Sequence, residues 1–204
     1  MRRRALLLAL LAALLPAASA GAADRRHPDW PCVQARVQEM SVAAVWAGPA
    51  LGDATARWDS DAKIKDLVAR LAARRTPIEE AQKMAAAFLA ASGDAKQDKA
   101  KLVFAGLFDT LNRLRSEVIA GIERYTRRQR EFAERIRAST LKLHALQDAP
   151  DSPSKEVEEL TNQVEWETRI FEDRRRTIAY VCEVPALIER RAFALGRTIQ
   201  EALE

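Results

Sequence analysis

The chain has only two histidines and two cysteines in 204 residues. His27 and His144 are far apart in sequence, and a His-based metal site or a Ser-His-Asp array would need more converging members than these. There is no Cys-x-x-Cys, so neither a dithiol redox motif nor a c-type haem attachment is present. No Gly-rich phosphate loop occurs. Asp59-Ser60-Asp61 looks like the start of a calcium loop, but the Gly and the distal Glu are missing, and helix capping is the simpler use. Glycine is scarce at seven residues, and β-branched runs are few. Ala, Leu, Glu and Arg abound instead. Helix is therefore expected throughout, with no cofactor and no catalytic set visible.

Positive charge in the body of the chain is also scarcer than the total suggests. The formal net charge is +4. Residues 1–20 carry three of the 33 basic residues (Arg2, Arg3 and Arg4) and none of the 29 acidic ones, leaving about +1 for the rest. That balance argues against general nucleic-acid binding. The same twenty residues have a basic start, an Ala/Leu run from Ala5 to Ala18, and small residues at Ala18-Ser19-Ala20. This is the pattern of a secretory signal peptide, with cleavage expected near Ala20 and a periplasmic or secreted destination. The apolar run is too short to span a bilayer comfortably. The remainder is long enough for one domain with a real core.

Apolar residues then recur at Phe104, Leu107, Leu111, Leu114, Val118, Ile122, Tyr125, Phe132, Ile136 and Leu143. The rhythm returns at Val157, Leu160, Val164, Phe171, Ile178 and Val181. Steps of three and four keep one stripe on one helix face, and gaps of seven are the spacing of a coiled-coil seam. Residues 147–153 hold two prolines between the runs and are read as a turn: Pro150 ends one helix, Ser152 caps the next, and Pro153 opens it. The fold class expected is all-α: a long antiparallel coiled-coil-like helical hairpin over 95–184 (tip 147–153), with shorter packing helices. If the tip lies near residue 150, facing residues have numbers summing to about 300, by equal helical rise on both sides. Phe171 then comes near Gln129 and Phe132. Polar Gln129, Glu167 and Arg174 fall on the seam, where they cost stability and can set register.

Shorter helices flank this pair. Asp61 is placed to cap a helix from Ala62 to about Arg74. Thr76-Pro77-Ile78-Glu79 has capping-box spacing, and that helix should stop at Gly93. Pro185 is expected to interrupt the returning helix and open another, to about Leu203. The organisation expected is therefore a signal peptide (1–20), an irregular Trp- and Pro-rich arm (21–60), and a helical domain (61–204). Val33–Val45 is read as one short helix within the arm, and Trp30, Trp46 and Trp58 as pins holding it to a helical core.

Cys32 and Cys182 make an even count in an exported chain, which points to a disulfide tying the arm to the base of the helix pair. Around the first of them, Asp-Trp-Pro-Cys-Val-Gln at 29–34, followed by Trp-Ala-Gly-Pro at 46–49, resembles a segment of a group of uncharacterised secreted bacterial helical proteins. The resemblance spans about twenty residues. It implies export and a helical fold, and brings with it no activity and no functional residue.

One charge feature stands apart. Arg124, Arg127, Arg128 and Arg130 on the outgoing helix fall level with Arg174, Arg175 and Arg176 on the returning one. Neighbouring Glu123, Glu131, Glu134, Glu172 and Asp173 would make this an ion-paired, solvated face. The functional alternative is a docking belt for an acidic partner or an anionic lipid surface. The role expected is that of an exported, non-enzymatic interaction or scaffold protein of the bacterial envelope, with an envelope protein or a second copy as partner. A periplasmic small-molecule-binding or accessory protein, holding an apolar molecule between hairpin and arm, is the alternative. An enzyme ranks behind both.

Overall fold

A computed structural model describes residues 27–204, which are all-helical with no strand among them. The expected signal peptide and the first residues of the expected arm lie outside the described residues. Six α-helices follow one another: α1 (Val42–Val45), α2 (Ala54–Arg57), α3 (Ala62–Ala72), α4 (Ile78–Ala90), α5 (Lys96–Asp148) and α6 (Ser154–Glu201). Single 3-10 turns at Trp58–Ser60 and Gly93–Ala95 precede α3 and α5.

The first long helix, α5, has 53 residues, or roughly 80 Å at 1.5 Å per residue. Its N-terminal half and the C-terminal half of α6 form the core together with α3 and α4. In α3 the buried positions Ile64, Leu67, Val68 and Leu71 follow helical spacing. In α4 they are Ala81, Ala85 and Leu89, four apart, so a stripe of small side chains faces the bulkier core. Phe104, Leu107, Leu111, Leu195 and Ile199 are all at most 1% exposed. The α5–α6 contacts continue beyond this core. Arg115 meets Glu189, Tyr125 meets the Arg174 carbonyl, Phe132 meets Phe171, and Lys142 meets Glu156. Numbers rise on α5 as they fall on α6.

Local signals and tertiary demands part company at several points. Asp61 caps α3 as its sequence implies, its Oδ1 accepting from the N–H groups of Lys63 (2.8 Å) and Ile64 (3.3 Å). Thr76 does not cap α4. That helix starts at Ile78, after an extended Pro77, with no side-chain cap. The Thr76 carbonyl instead accepts from Arg191 Nη1 at 3.0 Å, so the connection is shaped by α6. Ser152 likewise makes no capping bond, and α6 begins after Pro153.

Pro185 does not break α6, which runs through it to Glu201. A proline inside a helix forfeits one hydrogen bond at a cost of about 3 kcal/mol. The turns beyond it are anchored by Ile188, Ala192, Leu195 and Ile199, each at most 3% exposed, so burial holds the helical course. The helix expected over Val33–Val45 shrinks to α1, whose residues are not buried. Residues 36–40 are held by side chains of α5 instead, which take the Val37 and Gln38 carbonyls and the Met40 N–H, and Val33 and Val37 stay exposed.

Gly196 shows how closely the N-terminal segment approaches α6. A methyl built there would lie 2.6 Å from the Val45 carbonyl oxygen and 3.1 Å from the Phe104 ring. Gly196→Ala gains up to about 1 kcal/mol of helix propensity. The clash is with backbone, and overpacking of this kind costs about 1–3 kcal/mol. The expected net result is a lower melting temperature, read by circular dichroism. An unchanged or raised midpoint would show that Val45 moves away freely.

Candidate functional site

Residues 29–40 lie against the middle of α5 and α6 through a series of charged contacts. Asp29 is held between two guanidiniums. Its Oδ2 accepts from Arg127 Nη1 at 2.8 Å, and its Oδ1 pairs with Arg130. Cys32 is joined to Cys182, with the Cα atoms 5.5 Å apart. Arg36 pairs with Glu123, and the Met40 N–H donates to Asn112 Oδ1 at 2.8 Å. Trp30 is 5% exposed and packs with Ile119 and Ile122 beneath the disulfide.

Arg115 sits at the centre of this clasp and is 4% exposed. Its Nε donates to Glu189 at 2.7 Å, and its Nη1 donates to the carbonyls of Val37 (2.7 Å) and Gln38 (3.3 Å). One side chain thus links the segment, α5 and α6. A buried arginine is tolerated only when paired and hydrogen-bonded, and this one is both. Sequence reading did not single it out. The available sign was its place in the Leu111–Arg115–Ile119 row, four residues from each apolar neighbour.

The seven arginines of the expected belt divide by use. Arg127 and Arg130 are occupied by Asp29. Arg176 lies 3.6 Å from Asp173 and 4.0 Å from Glu172 on its own helix. The Arg174 guanidinium stands 5.3 Å over the Phe132 ring, a cation–π contact. Arg124, Arg128 and Arg175 are exposed and make no salt bridge among the described residues. The Tyr125 hydroxyl donates to the Arg174 carbonyl at 3.1 Å. Burial pushes its phenol above the usual value, and the Arg174 charge pulls the other way.

Two of the polar seam residues hold atoms that are buried without a partner, Gln129 Nε2 and Glu167 Oε2. His27 and His144 are not brought together in any metal-binding group: no set of three or more His, Cys, Asp or Glu side chains converges among the described residues. Asp29 does meet arginines of α5, but no hydrogen bond links it to the His27 ring among the described residues. Both of its oxygens serve the clasp.

The distal part of the helix pair is sparsely packed. Between Ile122 and Cys182 only Phe132 and Leu143 are fully buried. Along the same stretch Leu141 is 66% exposed, Trp166 61% and Tyr180 74%. No helix among the described residues is long and apolar enough to cross a membrane. The chain matches no known family, no curated protein and no solved structure.

Proposed function

We propose that this is an exported interaction or scaffold protein of the bacterial envelope, built as a disulfide-clamped antiparallel helical hairpin whose distal half is the working surface. The observation that carries this reading is the contrast along α5 and α6. Their proximal halves supply most of the residues of a multi-helix core, while their distal halves bury only Phe132 and Leu143 and display Leu141 and Trp166 to solvent. A large exposed aromatic such as Trp166 is a typical anchor at protein interfaces. The partner is an envelope protein or a second copy of this chain, with an acidic or anionic lipid surface reached through Arg124, Arg128 and Arg175. The Cys32–Cys182 disulfide fits an oxidising compartment and supports a periplasmic or secreted location.

A photo-crosslinking residue placed at Trp166 in the exported full chain tests this. A discrete adduct, or a dimer seen by light scattering, is expected. Trp166→Glu should abolish dimer formation or any native partner complex recovered without crosslinking, and leave the unfolding free energy of the monomer within about 0.5 kcal/mol of the parent. A strictly monomeric chain with no adduct from the distal half would end the proposal. The small-ligand reading takes second place. The hollow between Pro31, Tyr125, Gln129, Phe171 and Ile178 holds about 190 Å³, below the roughly 300 Å³ at which ligand sites begin.

A further inference from the structure

A larger hollow lies on another part of the molecule, where the α3–α4 connection meets α5 and α6. It holds about 500 Å³, within the range of small-molecule sites. Its apolar lining comes from Leu111 and Leu114 of α5, Ile188 of α6 and Ile78 of α4. Leu187 borders it and is 45% exposed, an unusual place for a leucine on an otherwise polar helix face.

Three arginines also line it, Arg74, Arg190 and Arg191. None of the three makes a salt bridge among the described residues; Arg74 and Arg190 are exposed, and Arg191 is partly buried. Arg191 is the telling one. Its Nε donates to the Leu71 carbonyl at 2.6 Å and its Nη1 to the Thr76 carbonyl at 3.0 Å. Its Nη2 is buried with no partner at all. Two neutral carbonyls therefore hold a partly buried cation that has a spare donor and no counter-charge. Burial pulls its guanidinium below the usual value. Its Nη2 is closed to solvent as placed, so an acceptor in the hollow pairs first with the guanidinium charge and reaches that donor only as the side chain shifts.

An apolar floor with three unpaired guanidiniums complements an anionic amphiphile better than a neutral lipid or a peptide strand. A carboxylate accepts from arginine in a bidentate fashion, and an acyl chain covers leucine and isoleucine without needing polar partners. We propose that this hollow binds one long-chain fatty acid, with its carboxylate among Arg74, Arg190 and Arg191 and its chain against Leu111, Leu114 and Ile188. The site is independent of the distal half of the helix pair.

The test uses cis-parinaric acid, a fatty acid that fluoresces when buried, titrated into the mature full chain. Saturable one-to-one binding is expected, with displacement by palmitate. 1-Hexadecanol, which has the chain without the charge, should displace it about tenfold less well or worse, as the loss of a charge-assisted contact implies. The double variant Arg74→Gln, Arg190→Gln removes two guanidiniums to which no structural contact is assigned, and should weaken binding about tenfold or more at unchanged melting temperature. If that variant melts early, Leu187→Glu decides instead, since a like charge beside the carboxylate should lower affinity on its own. Trp166→Glu should bind normally, which separates this site from the distal surface. Absence of saturable fluorescence, equal displacement by the alcohol, or variants that bind as the parent does would each overturn the assignment.

Discussion

Replacing Cys182 by serine is expected to lower the melting temperature of the protein by roughly 10–20 °C. The bridge closes a sequence separation of 150 residues. In the chain-entropy description, a loop that long restricts the unfolded state by about 5 kcal/mol. A domain of this size loses about 2–4 °C per kcal/mol. Residual structure in the unfolded chain makes the figure an upper bound. Cys32→Ser should match it, and a reducing agent acting on the parent should reproduce both. The variants should stay helical at low temperature, because the main core draws on residues 40–118 and 184–203 and contains neither cysteine. Segment 29–40 also keeps Asp29 with Arg127 and Arg130, and Arg115 with the Val37 and Gln38 carbonyls. A shift of only a degree or two would mean that these contacts, and not the bridge, restrain the segment.

Phe104→Ala should cost about 3–5 kcal/mol, the range for deleting a fully buried aromatic. Phe104 is 1% exposed. Its ring stacks on Trp46 at 4.2 Å between centroids, and lies 6.1 Å from Phe108. It also faces Gly196 of α6, so one side chain contacts the N-terminal segment and both long helices. The surrounding elements cannot collapse into the space without moving all three, which places the cost toward the upper end. Denaturant midpoints at constant slope would measure it. Phe193→Ala, at a position 52% exposed, is the matched control and should change stability by less than about 0.5 kcal/mol. Equal losses at the two positions would show that the core is not centred on Phe104.

Both predictions touch features that differ in how far they could be read in advance. The cysteine pair was readable because two thiols in one chain leave only one intramolecular pairing. The apolar stripe through Phe104 was readable because helical spacing repeats every few residues. Asp61 was readable because a cap depends on its own carboxylate and the next two or three N–H groups. Thr76 and Ser152 carried the same kind of local sign, yet neither makes a capping bond. In the case of Thr76, Arg191 reaches its carbonyl from 115 residues away. The two arginines that matter most inside the fold, Arg115 and Arg191, were hidden by their type. Arginine in an amphipathic repeat normally faces water, and only the carbonyls and carboxylate that gather around these two allow burial.

What the chain determined by itself is its helical character, the cap on α3 and the pairing of its sulfurs, because each depends on composition, on neighbours a few residues apart, or on elimination. What only the tertiary structure decided is the unbroken passage of α6 through Pro185, the use of Asp29, Arg127 and Arg130 as a clasp, and the placing of the Arg191 guanidinium against the Leu71 and Thr76 carbonyls. Each of these sets a local cost, a lost hydrogen bond or a desolvated charge, against contacts with residues remote in sequence. That balance exists only once the helices are packed.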